Sequence, residues 1–136
     1  MIKDIVKDQS FLARISEPAT REDLPVAQDL IDTLKAHEGS CVGLAANMIG
    51  ISRQIIIVKV GLSSLVMFNP KITMQQSPYK TEEGCLSLEG MRETTRFLII
   101  EVEYLDQKWQ KKKKRFRGFT AQIIQHEVDH LNGVII

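Results

Sequence analysis

The chain has 136 residues and carries 18 basic against 17 acidic side chains, a formal net charge of +1. That length supports one domain with its own core and is short for two. With 43 % hydrophobic and 26 % charged residues, the composition excludes a disordered or collagen-like chain. No apolar run approaches the roughly 20 residues needed to span a bilayer, and the first residues, MIKDIVKDQS, carry charges where a secretory signal needs an apolar core. The expectation is a single domain over residues 1–136 in the cytoplasm, with no membrane partner.

Taken in chain order, the first predicted element is a helix from Asp23. Asp23 is placed to cap it, Pro25 suits its first turn, Val26, Leu30, Ile31 and Leu34 share one face, and Gly39 stops it. Strands are expected at Gln54–Val60, Leu65–Asn69, Lys71–Met74 and Phe97–Tyr104, all rich in β-branched or aromatic residues. Between the last two lies EGCLS, Glu83 to Ser87, which reads as a polar loop. Lys111 to Arg117, KKKKRFR, holds six positive charges and leaves the rest of the chain at −5. A run of this kind is read as a solvated strand whose charges protect a sheet edge; in the absence of a recognised module, nucleic acid is not an expected partner. Gly118 introduces a second helix, with Thr120 as N-cap and Phe119 stapled against Ile124, ending near Asn132-Gly133. Val134 to Ile136 are expected to pack or extend as a final strand. Strands followed by a late helix, without regular βαβ alternation, indicate an α+β fold: mostly antiparallel sheet packed around a C-terminal helix, with another helix near the N-terminus.

The chemistry lies on the second helix. His126-Glu127-Val128-Asp129-His130 is an H-E-x-x-H pattern. Residues four apart on a helix project from nearly one face, so two imidazoles reach one metal ion while the glutamate sits beside it. That arrangement suits metal-assisted hydrolysis, with the carboxylate moving the proton. The alternative, two surface histidines on a charged face, is weakened because two of only three histidines in the chain fall at this spacing. A third ligand is needed. No histidine follows His130; spacing leaves a distant glutamate open, as in zinc endopeptidases; and Cys85, after a glycine, would complete a Cys-His-His site.

Three ordered segments, CVGLAANMIG (Cys41 to Gly50), EGCLS and QHEVDH (Gln125 to His130), give the chain a resemblance that runs over nearly its whole length. It resembles the peptide deformylases, metallohydrolases that remove the formyl group from the N-terminal methionine of nascent polypeptides. The resemblance implies that Cys85, His126 and His130 hold one divalent ion, Fe²⁺ first and Zn²⁺, Ni²⁺ or Co²⁺ as substitutes. It implies that Glu127 is general base and then acid, and that the Leu86 N–H helps bind the oxyanion. Gly43 and Gly84 would hold the N-formylmethionyl peptide in strand-like fashion, Leu44 and Ile124 would line the methionine pocket, and Arg92 would lie near the peptide. The substrate would be met at the ribosome.

Two positions depart from the family pattern G-x-G-L-A-A-x-Q: Cys41 stands at its first glycine and Met48 at its glutamine. A thioether donates no hydrogen bond, so the side-chain amide that family members offer the oxyanion is missing; one such donor is worth about 3 kcal/mol. Asn47 next door is expected to point elsewhere. The expectations are therefore a deformylase of weakened activity or, alternatively, a metal- and peptide-binding or regulatory paralogue. Cys41 is expected to pack rather than pair with Cys85 in a disulfide.

Overall fold

The structure is a computed structural model that describes residues 1–85 and 87–134, the side chains of Leu88 and Glu89 excepted. Three helices, α1 (Gln9–Leu12), α2 (Val26–Ala36) and α3 (Gly118–Leu131), accompany five strands: β1 (Gly43–Ala45), β2 (Ile55–Val60), β3 (Ser63–Cys85), β4 (Leu88–Leu105) and β5 (Lys111–Arg117). The strands form one antiparallel sheet in the order β1-β2-β3-β4-β5. The α+β expectation therefore holds.

The β2 segment IIIV is buried at every position, the continuous apolar pattern of a strand covered on both faces. Its Ile55, Ile56, Ile57 and Val58 join Leu30 and Leu34 of α2 and Ile123, Ile124 and Leu131 of α3 in one core. Each such side chain contributes about 1.5–3 kcal/mol by leaving water.

Several expectations need correction. Leu65–Asn69 and Lys71–Met74 are parts of a single 23-residue strand, β3, that bulges between Phe68 and Lys71 and again between Ile72 and Met74. The polar stretch after Met74 is not loop but the outer half of a long β3–β4 hairpin, held by ladder pairs from Gln75↔Ile100 to Cys85↔Leu88. Alternation of polar and apolar residues is absent there because both faces are largely solvated, so the backbone ladder rather than side-chain burial defines the strands. Glu83, Gly84 and Cys85 thus end a strand instead of sitting in a loop, and Leu86 lies outside the described residues.

Asp23 caps a short 3₁₀ turn, Arg21–Asp23, by accepting from the Thr20 N–H (2.8 Å), and Pro25 is the N-cap of α2. Thr120 caps nothing: Gly118, at φ +63°, turns the chain directly out of β5, and Arg117 is the N-cap of α3. Phe119 is 62 % exposed rather than stapled under the fully buried Ile124. Val134 is exposed, while Ile135 and Ile136 lie outside the described residues.

Candidate active site

Helix α3 presents His126, Glu127 and His130 on its buried side, facing the end of β3, the start of β1 and the 3₁₀ turn Ala46–Ile49. Between them is a cleft of about 460 Å³ whose walls include Cys41, Gly43, Met48, Cys85, His126 and Glu127. Cys85, His126 and His130 each aim one ligand atom into a cluster in which all three lie within 4.8 Å of one another. The Nε2 atoms of His126 and His130 are 2.9 Å apart, with the rings nearly perpendicular.

The orientation of His126 is fixed from behind. Its Nδ1 donates to Glu83 Oε1 at 2.7 Å, which leaves Nε2 as the lone-pair donor toward the cluster. Glu83 is itself clamped: Arg96 reaches it through Nη2 (2.7 Å) and Nε (2.9 Å), and Gln122 Nε2 donates to Oε2 at 2.9 Å. Burial opposes charge on Glu83, but these bonds from His126, Arg96 and Gln122 win and hold its carboxyl at about 2. Arg96 also donates to Asp129 Oδ2, so one buried guanidinium ties β3, β4 and α3 together. Gln125 adds a second tie between α3 and β4 by bonding both the N–H and the C=O of Phe97 at 2.8 Å.

Burial works against charge on both imidazoles; hydrogen bonds to Cys85 and Glu83 nevertheless hold His126 above its ordinary range, while burial together with neighbouring His126 pushes His130 below it. Glu127 is 4 % exposed, and burial lifts its carboxyl to about 7 against the pull of His126. Among the described residues its Oε1 has no hydrogen-bond partner, an uncompensated acceptor that costs free energy unless a ligand or water meets it. Gly43 makes room for the other oxygen: a Cβ there would lie 3.0 Å from Glu127 Oε2 and 2.7 Å from the Ile123 side chain.

These facts test whether a metal fits. Two imidazole nitrogens and one thiol converge beside an unpartnered buried carboxylate oxygen, which is the donor set of an N/S-ligated divalent ion with a proton acceptor at hand. The residues fit.

Of the other residues singled out in the sequence, Gly43, Gly84, Cys41 and Met48 line the cleft. Leu44 and Ile124 are fully buried in the core and are not among the cleft walls, whose apolar side chains are Val42, Met48, Met91, Phe119 and Ile123. Arg92 stands on β4 opposite Glu83. Met48 is buried, and its sulfur accepts from the Ala45 N–H at 3.4 Å. Asn47 donates to the His130 carbonyl at 2.9 Å and so cannot supply the missing amide. Both cysteines are free thiols, and Cys41 donates to the Gly43 carbonyl at 2.9 Å. Glu83, Arg96, Gln122 and Gln125 received no role from the sequence. Their partners lie across strands or between strand and helix, where no local spacing signals them.

Comparison with known proteins agrees with this geometry. A family model described as polypeptide deformylase matches residues 2–136. The peptide deformylase of Clostridium beijerinckii is 57 % identical over 136 residues, 100 % of both chains, and that of Pelotomaculum thermopropionicum is 36 % identical over 90 % of this chain and 83 % of its own. Among solved structures, a ligand-bound class I type b peptide deformylase from Acinetobacter baumannii superposes with a TM-score of 0.90 at 32 % identity, covering 99 % of this chain and 97 % of its own. The peptide deformylase of Thermotoga maritima gives 0.89 at 32 % identity, with 99 % and 95 % coverage.

Proposed function

Because this chain belongs to the polypeptide deformylase family, and so removes the N-formyl group from nascent peptides, we propose that Cys85, His126 and His130 hold its catalytic ion and that Glu127 carries the proton. The observation that supports this most is the convergence of those three donors within 4.8 Å beside the unpartnered Glu127 Oε1. Deformylases are metalloenzymes, and a divalent cation bound here supplies Lewis acidity, lowering the pKa of water and polarising a carbonyl. We take the ion to be Fe²⁺, with Zn²⁺, Ni²⁺ and Co²⁺ as possible substitutes for the same N/S donor set.

The chain's own residues do the rest. Water adds to the formyl carbon as Glu127 Oε1 takes its proton, the C–N bond breaks, and Glu127 returns that proton to the leaving amine, giving formate and a free α-amino group. A carboxyl lifted toward neutrality by burial is suited to both transfers. Glu83 holds His126 in one tautomer throughout. The Leu86 N–H is our proposed donor to the oxyanion; Met48 can add nothing, because its thioether has no proton to give. Gly43, at the free edge of the sheet, and Gly84 are the proposed backbone contacts for an extended peptide, with Arg92 near its path.

Among the described residues no helix is long and apolar enough to cross a membrane. Separately, a nascent-chain substrate argues for a cytoplasmic enzyme working beside the ribosome. The reading as a regulatory paralogue has only Met48 in its favour. The test is formate release from a formyl-Met peptide by protein loaded anaerobically with each of the four ions. We expect turnover, highest with Fe²⁺, and none after chelation; activity unaffected by chelation overturns the metal assignment.

A further inference from the structure

The basic run is absorbed by none of this. It forms β5, the outermost strand of the sheet beside β4. The ladder brings a further lysine to it: Lys71 of β3, Glu103 of β4 and Lys113 of β5 stand in one row across three strands. A groove of about 500 Å³ follows, walled by Lys71, Lys111, Lys112 and Lys113 with Glu103 as its one carboxylate. Lys113 answers Glu101 and Glu103 at 3.3 and 3.6 Å. Among the described residues Lys71, Lys111, Lys114 and Arg117 have no carboxylate within 4.0 Å. Lys112 and Arg115 have Asp106 and Glu101 at 3.9 and 3.4 Å, so the positive charge is concentrated and partly uncompensated, Lys71 and Lys111 being the unpaired groove cations among the described residues, while the chain outside the run sums to −5.

We propose that this groove and the β5 edge form a docking surface for the phosphate backbone of single-stranded RNA. The inference rests on the nascent-chain reading above, since a nascent peptide emerges from an RNA-rich particle. Same-face residues on a strand recur every ~6.8 Å, a spacing at which successive lysines can meet successive phosphates of an extended strand. The aromatic residues nearby are committed inward: Phe116 packs on the core, and Trp109 sits edge-on to Phe68 at 5.5 Å. Tyr104 in the groove wall is also buried, so among the described residues the groove itself exposes no ring for bases to stack on, and the contact reads backbone charge and not sequence. β5 runs straight into α3, whose exposed Phe119 lines the catalytic cleft. The groove lies at the Lys111 end of β5 and the cleft beyond its Arg117 end, so this strand links the two.

The test is fluorescence anisotropy of a short, labelled, mixed-sequence single-stranded RNA titrated with metal-loaded full chain across a range of salt. Three proteins are compared: the unmodified chain, a groove variant (Lys71→Gln, Lys111→Gln, Lys112→Gln), and a control with the same charge change elsewhere (Lys7→Gln, Lys35→Gln, Lys80→Gln). We expect the groove variant alone to lose affinity at least roughly tenfold, and its plot of log K against log salt to flatten by about 2 units, about 0.7 per phosphate contact. A poly-U strand should bind as well as the mixed sequence. Equal losses in groove variant and control, or no binding by the unmodified chain, overturn the proposal. So does groove-dependent binding to phosphatidylserine vesicles without binding to RNA. Formate release from a free formyl-Met peptide is measured in parallel: equal rates in all three show that the fold is intact, and a failure of that assay in the unmodified chain counts against the catalytic reading without touching the RNA titration.

Discussion

Arg96 lays its guanidinium across the Glu83 carboxylate, Nη2 to Oε1 at 2.7 Å and Nε to Oε2 at 2.9 Å, and Glu83 in turn accepts from His126 Nδ1 at 2.7 Å. Both side chains of the pair are nearly fully buried, 4 % and 7 % exposed. Truncating one partner therefore leaves the other charge uncompensated in a desolvated setting, at a cost of about 3–5 kcal/mol. Arg96→Leu is expected to lower the free energy of unfolding by that amount, read as a lower urea midpoint at unchanged slope, and to weaken metal binding by about 10- to 100-fold. Urea titration and metal titration against a chelator measure the two effects. Unchanged metal affinity in a folded Arg96→Leu protein would show that the clamp does not serve the site.

The same carboxylate sets a pH dependence of stability. Its folded-state value, about 2, lies below the ordinary 4.5. Its stabilising contribution is therefore complete above about pH 4.5, and is lost as pH falls toward 2, where the folded state too becomes protonated. Urea midpoints of the unmodified chain should fall across this window more steeply than those of Glu83→Gln. Parallel profiles would remove Glu83 from the acid transition.

Gly43 has no room for a side chain. A Cβ would meet Ile123 Cγ2 at 2.7 Å, Glu127 Oε2 at 3.0 Å and the Ile57 carbonyl at 3.1 Å. Gly43→Ala is expected to cost about 1–3 kcal/mol of stability and, by displacing Glu127, a larger share of kcat than of KM. Thermal melts and steady-state rates check both, and an alanine variant with native turnover would mean that Glu127 tolerates displacement.

Burial pushes the Cys41 thiol up to about 12, partly offset by backbone hydrogen bonding at Gly43. The thiolate is the reactive form, and at pH 8 only about one molecule in 10⁴ carries it. Alkylation of Cys41 in folded, metal-loaded protein should therefore be at least ~10²-fold slower than that of free cysteine, rising with pH well beyond 9. Mass-spectrometric mapping after iodoacetamide decides; rapid labelling at neutral pH would make Cys41 a reactive group and not a packed one.

What the sequence disclosed follows from which interactions are local. His126 and His130 sit about one helical turn apart, so spacing alone placed both imidazoles on one face with Glu127 beside them, and Cys85 drew attention as a thiol in EGCLS. The α2 face Leu30 and Leu34 was legible for the same periodic reason. Glu83 and Arg96 were not, because their pairing depends on the β3–β4 ladder, whose outer half looks like polar loop in a sequence. The donor to Asp129, Arg96, also comes from another element, so no local spacing signals that bond. The start of α3 was misplaced because Gly118, through its positive φ, does at once what Thr120 was expected to do by capping. Lys71 could not be assigned to the basic groove until the register across β3, β4 and β5 was known.

By the resemblance to the family pattern, Met48 stands where a side-chain amide donor is expected. It is buried, and its sulfur already accepts from the Ala45 N–H, a contact that glutamine of similar length can keep through Oε1 while offering its N–H₂ to the cleft. Met48→Gln is expected to raise kcat by up to about 10²- to 10³-fold with little change in KM. No gain, at equal metal content, would mean that the oxyanion is met by other groups.

The central claim is that Glu127 moves the proton at an ion held by Cys85, His126 and His130. Its most direct test is formate release from a formyl-Met peptide by anaerobically Fe²⁺-loaded protein and by Glu127→Ala at matched iron content. The account predicts measurable turnover in the unmodified chain and a fall of at least about 10²-fold in the variant, with one ion retained per chain in each. Equal turnover in the two proteins at equal iron occupancy would contradict it.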